Sequence, residues 1–106
     1  MKAEMPVKQY NTLKASPNKD DTAILELYVK GLGDGIMWSN IEVKVDGKPF
    51  YCPPAKLVPT TENYMDILNR QISKAAGILT QAKLEEMPVV LLLIRGLKET
   101  FPCEGK

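Results

Sequence analysis

Apolar residues recur at intervals of three and four along the first half of the chain: Ile24, Leu25, Tyr28, Val29, Leu32 and Ile36. That spacing predicts an amphipathic helix beginning near Asp20 or Asp21, whose carboxylates suit the positive end of a helix dipole. Residues 1–19 are polar, carry Pro6, Asn11, Pro17 and Asn18, and read as a flexible lead-in to a single domain over 20–106. A second stripe of small residues, Gly31, Gly35 and Ser39, lies within the first helix. Glycine costs about 1 kcal/mol relative to alanine inside a helix, so the stripe suggests that another backbone comes close. The alternative is that Gly31-Leu32-Gly33-Asp34-Gly35 forms a loop between two helices. Ile41, Val43 and Val45 alternate with charged residues before Asp46-Gly47. This reads either as a strand entering a hairpin or as final helical turns stopped by Gly47. Pro49 in the short return arm disfavours the hairpin.

Pro49, Pro53, Pro54 and Pro59 then forbid regular structure and make a stiff, extended connector around Cys52. Thr60 or Thr61 caps the next helix, with Glu62 in its first turn. Tyr64, Leu68, Gln71, Ile72 and Ala75 form one face of it, with Ile67 alongside, and Gly77 is the stop signal. A linker carrying Ile78, Leu79 and Leu84 follows. The last element runs from Pro88 to Phe101. Val89 to Ile94 is apolar enough for a buried strand. Pro88 at a helix start, acidic residues before it, Arg95 and Lys98 near its end, and its length favour a helix. Apolar on all sides, it belongs at the centre of a bundle.

Length and composition fit one ordinary globular domain: 106 residues, 44% hydrophobic and 25% charged. Fourteen basic and 13 acidic residues leave a net charge of +1 without a basic block, which argues against nucleic acid as a partner. No apolar run approaches the ~18 residues of a membrane span. Met1 to Tyr10 lacks the apolar middle of a signal peptide, so either the protein is cytosolic or the chain starts at its mature end.

The chemistry of catalysis is sparse. Histidine is absent, which removes the commonest general base and metal ligand. Two cysteines alone do not make a tetrahedral zinc site, and neither has a base to activate it. There is no Gly-x-Ser-x-Gly elbow and no phosphate-binding loop, and Gly31-x-Gly33-x-Gly35 lacks dinucleotide-fingerprint spacing. No catalytic residue, metal or cofactor is expected. Asp20-Asp21 and Glu85-Glu86 read as solvated helix-start residues. Asp34 reads either as an i, i+4 partner of Lys30 or as a buried acceptor joining this helix to a neighbour. Cys52 and Cys103 are either two thiols of a cytosolic protein or one bridge. The bridge is favoured because Cys103 lies close to the C-terminus, where it would otherwise float. Closing a loop of about 50 residues contributes about 4 kcal/mol in the chain-entropy model.

Leu27-Tyr28-Val29-x-Gly31-x-x-Asp34-Gly35-Ile36-x-Trp38, then Phe50-Tyr51-Cys52-Pro53-Pro54, then a capped helix and Phe101-Pro102-Cys103, resembles the Tai and Rap group of immunity proteins. These protect type VI secretion systems from their own amidase toxins. The resemblance covers residues 24–103. It implies an all-α fold, a small bundle of three to five helices with a Cys52–Cys103 disulfide, and residence in the periplasm. It also implies that residues 31–35 continue one helix and that Gly31, Asp34, Gly35 and Trp38 are scaffold residues. Function would be occlusion of a peptidoglycan amidase by a loop, often by a dimer. Asp46-Gly47-Lys48 and the linker from Thr80 to Glu86 are the candidate blocking loops. The alternative is a small periplasmic helical chaperone or acid-stress protein. Without histidine, its trigger would be carboxylates protonating at about pH 3–5.

Overall fold

The computed structural model describes residues 4–103; residues 1–3 and 104–106, at the two ends of the expected lead-in and domain, lie outside it. Five helices follow one another: α1 (Val7–Ala15), α2 (Lys19–Asp46), α3 (Thr61–Ala76), α4 (Gln81–Glu86) and α5 (Val89–Thr100). The fold is all-α with one disulfide, and no strand forms among the described residues. α3 and α5 make the central pair, α2 packs mainly against α3, and α1 covers α2 and α4. Leu25, Val29, Tyr64, Leu68, Leu92, Leu93 and Leu97 fill the space between them.

Local chemistry sets the boundaries. The Asn18 side chain accepts from the Asp20 amide at 2.8 Å and starts α2 at Lys19, one or two residues earlier than the paired aspartates alone suggest. α2 then runs unbroken through Gly31, Gly33 and Gly35 to Asp46, with Gly47 after it, so neither the loop nor the hairpin forms. Thr60 caps α3 in a reciprocal box: its hydroxyl accepts from the Asn63 amide, and the Asn63 side chain accepts from the Thr60 amide. The linker before α5 contains α4, where Thr80 accepts from the Lys83 amide and Leu84 is buried. Val89 to Ile94 is helical, and Pro88 is the residue before α5 rather than its first residue.

The flexible lead-in is corrected by α1. Met5, Val7 and Tyr10 are buried. Neither α1 nor α5 has a side-chain N-cap. Instead the Val7 amide donates to the Met87 carbonyl and the Val89 amide to the Met5 carbonyl, both at 2.8 Å. Pro6 and Pro88 face each other across this exchange. Each helix start thus supplies the acceptor that the other needs. The Tyr10 hydroxyl donates to Asn69 at 2.7 Å and fixes α1 to α3.

The close helix contacts also fall elsewhere than the small-residue stripe suggests. A Cβ at Gly31 or Gly35 would have nothing within 4 Å. A Cβ at Gly33 would collide with the Tyr64 ring, and one at Gly96 would lie 2.5 Å from the Ile67 side chain. The buried face of α2 is Leu25, Val29, Gly33, Ile36 and Asn40; Gly31 and Gly35 lie off it, along an open cleft shared with Val90 and Ile94 of α5.

Two outcomes follow. Gly33→Ala should destabilise by about 1–3 kcal/mol through overpacking, whereas Gly31→Ala should stabilise by up to about 1 kcal/mol; urea unfolding of the two variants measures the contrast. Alkali should also unfold the protein. Burial pushes the Tyr10 hydroxyl from 10.0 up to about 12, with Asp66 adding to the shift and the Asn69 hydrogen bond opposing it. Burial and the Asp34 charge raise Tyr64 as well. Both are raised in the fold, so their contribution is intact below pH 10.0 and is lost as pH rises above it, through about 12 for Tyr10 and higher still for Tyr64. Urea midpoints should fall across that window, and Tyr10→Phe should flatten part of the fall.

Candidate protein-interaction loop

Residues 47–60 connect α2 to α3 without regular structure and carry four prolines. Their path is fixed at one place. Asn40, on the buried face of α2, donates from Nδ2 to the Tyr51 carbonyl at 2.8 Å. Its Oδ1 accepts from the amides of Phe50 and Tyr51. One carboxamide therefore satisfies three backbone groups of a segment that has no helix or sheet to satisfy them.

The next residue ties the segment to α5. Cys52 and Cys103 form a disulfide with Cα atoms 4.9 Å apart, across 51 residues of sequence. The Cys52 amide donates to the Phe101 carbonyl at 2.8 Å. Tyr51 is buried, with its ring 6.4 Å from that of Phe101. Burial raises the Tyr51 pKa, so its ring stays neutral as it plugs this junction.

Beyond the anchor the loop stands out from the bundle. The Leu57 amide donates to the Pro54 carbonyl at 3.1 Å and closes a turn through Ala55 and Lys56. Val58, at the crest, is 81% exposed. Leu57 lines clefts on both sides of the loop: one of about 350 Å³ with Met37, Ile41 and Lys44 of α2, and one of about 220 Å³ with Tyr64, Leu97 and Phe101. Pro59 and the capped start of α3 close the far end. The result is a short apolar crest on a base held by a disulfide, a buried carboxamide and two aromatic rings. Lys44 lines the cleft on the α2 side with Leu57, Lys56 sits in the turn, and Lys48, Glu42 and Asp46 are charged neighbours in sequence.

The residues singled out from sequence divide into separate places. Cys52 and Cys103 are joined. Asp46, Gly47 and Lys48 are exposed at the root of the loop, where α2 ends. The Thr80–Glu86 linker is far from them along the bundle: the sixteen residues of α3, about 24 Å, intervene. Asp34 fulfils both of its readings. Its Oδ2 pairs with Lys30 Nζ at 2.6 Å, and its Oδ1 accepts from the Tyr64 hydroxyl at 3.2 Å. It is half-buried rather than buried. Trp38 is 65% exposed on the outer side of α2 with Gly31 and Gly35, apart from the cysteines.

Asn40 and Val58 are the residues that sequence reasoning missed. Asn40 had a signal, since it continues the buried series Leu25, Val29, Gly33 and Ile36 at helical spacing. A polar residue on a core face needs a partner, and an irregular segment close in sequence offers them.

Among the described residues, no group of three His, Cys, Asp or Glu side chains gathers as a metal site requires, and no helix is long and apolar enough to cross a membrane. Comparison of the chain with protein-family models, with curated proteins and with solved structures finds no match.

Asn40→Ala should lower stability by about 2–3 kcal/mol, because it strands buried backbone groups. The Lys56–Leu57 bond reports on the loop directly. Trypsin should cut there slowly in the oxidised protein, and much faster in Asn40→Ala or after reduction, as followed by mass spectrometry.

Proposed function

We propose that the chain is a periplasmic immunity protein that binds a peptidoglycan amidase effector of a type VI secretion system and occludes its cleft, without catalysis of its own. One observation carries this reading: residues 53–59 form an apolar crest, with Val58 81% exposed, on a base fixed by Cys52–Cys103 and Asn40. A loop already held in its bound shape loses little conformational entropy on docking, so more of the contact energy appears as affinity. A single apolar side chain entering a pocket, with charged neighbours along the loop and Lys44 beside it, fits a central anchor with a polar rim. The resemblance over residues 24–103 supplies the partner class, and a disulfide is at home in the oxidising periplasm. The crest lies beyond Asp46-Gly47-Lys48, which in this reading form the rim of the contact rather than its centre.

The test uses purified amidase effectors and a peptidoglycan-release assay. The oxidised protein should inhibit its cognate amidase stoichiometrically. Val58→Glu should weaken binding about 100-fold, a loss of roughly 3 kcal/mol, while leaving the unfolding midpoint unchanged. Failure to inhibit or capture any amidase, together with free thiols in natively isolated protein, would overturn the reading.

A further inference from the structure

A cleft at the end of the bundle away from the crest changes character along its length. It lies between the last turns of α3 and the first turns of α5, holds about 340 Å³, and shares no lining residue with the two clefts beside Val58. Its walls are apolar: Ala75, Ile78 and Leu79 on the α3 side, Met87, Leu91 and Leu92 on the α5 side. Leu92 is buried, whereas Ile78 is 82% exposed at the lip. Three polar side chains complete the lining: Gln71, Lys74 and Arg95. They gather at one end. Lys74 comes one helical turn before Ile78, Arg95 comes one turn after Leu91, and Gln71 lies against Gly96, next to Arg95.

The charges at that end are unbalanced. Lys74 is paired with Glu99, but among the described residues Arg95 forms no ion pair. Gln71 is only 9% exposed, and the surface it keeps opens into this cleft. A guanidinium at the mouth and a buried carboxamide behind it both offer N–H donors to one oxyanion. Beyond them the cleft offers only hydrocarbon and a thioether, for about 12 Å along α5 from Arg95 back to Met87.

We propose that this cleft binds a single-chain carboxylate amphiphile, a fatty acid of medium length, with its carboxylate on Arg95 and Gln71 and its chain running toward Ile78 and Met87. Three features select that occupant. The unpaired cation calls for an anion, and the planar guanidinium fork matches a carboxylate. No aromatic ring and no hydroxyl side chain lines the cleft, so nothing there stacks on a sugar or a base. A peptide would bring backbone amides and carbonyls that need partners, and the side chains of the apolar stretch supply none. The cleft and the crest lie at opposite ends of α3, so a ligand here leaves the Val58 contact free.

The test titrates decanoate, below its micelle concentration, into the oxidised protein carrying methyl-labelled methionine, with calorimetry for stoichiometry and affinity. Met87 lines this cleft and Met37 lines the one beside the crest, so their methyl signals locate the ligand. The expected result is one decanoate per chain, with the Met87 signal moving to saturation and the Met37 signal still. Arg95 is exposed, so its replacement should leave the fold intact. Arg95→Ala should weaken binding by about tenfold or more, and Arg95→Lys should recover only part of the loss. Octanoate, shorter by a pair of methylenes, should bind about tenfold more weakly than decanoate. Absence of saturable binding overturns the proposal. So does uncharged 1-decanol binding as tightly as decanoate, or movement of Met37 in place of Met87. An acidic peptide that shifts Met87 where decanoate does not also overturns it, and would assign the cleft to a protein partner.

Discussion

The carboxamide of Asn40 is the constraint on which the rest of the molecule depends. Ordering a residue's backbone costs about 1–2 kcal/mol, and residues 47–60 have no ladder of their own to offset it. Asn40 supplies a donor and an acceptor inside the core, so the chain can turn from α2 into the loop without leaving buried backbone groups unpaired. Prolines lower the entropy lost, because the unfolded segment is already restricted. The disulfide then acts on a segment that is in place. It joins the loop to the end of α5 and removes about 4 kcal/mol of unfolded-state freedom in the chain-entropy model, a large share of the 5–15 kcal/mol that holds a domain together. Neither device suffices alone. Without Asn40 the bridge would hold an unsatisfied backbone; without the bridge, Asn40 would hold only two residues of the loop.

What the sequence disclosed and what it hid divide along the range of the interactions. Gly47, Thr60 and Gly77 mark helix ends because their effect is local: each acts on backbone groups within a few residues of itself. α1 escaped because nothing local makes it. Its start is completed by the Met87 carbonyl and its middle by Asn69, residues far away in sequence, and its apolar positions Val7, Tyr10 and Leu13 are too few to show a period. The glycines show a third case. The stripe through Leu25, Val29 and Ile36 marked the side of α2 that meets the core, but which glycine makes a close contact there was not readable. Tyr64 settles that, because its ring needs the space at Gly33. At the loop, Cys52 and the prolines were plain, whereas the exposure of Val58 depends on how the turn through Ala55 and Lys56 is hung from Tyr51 and Cys52.

Asp34 shows how one side chain can serve two elements. With one oxygen it holds Lys30 along α2, and with the other it accepts the Tyr64 hydroxyl from α3. Gly33, adjacent in sequence, makes room for the ring that carries that hydroxyl. The α2–α3 contact is therefore specified by a vacancy and an acceptor side by side. This also keeps Tyr64 protonated: burial and the neighbouring carboxylate both disfavour its phenolate. A half-exposed carboxylate thus contributes more through the orientation of a buried ring than through its surface ion pair, which by itself is worth little.

The three glycines of α2 bring the argument to the outside of the molecule. Each weakens the helix by about 1 kcal/mol relative to alanine. Gly33 is accounted for within the subunit, since any larger residue would strike Tyr64. Gly31 and Gly35 meet nothing, and they interrupt an exposed apolar face that a soluble surface gains nothing by having. Gly31 and Gly35 thus give up roughly 2 kcal/mol of helix stability with no contact inside the subunit that requires them.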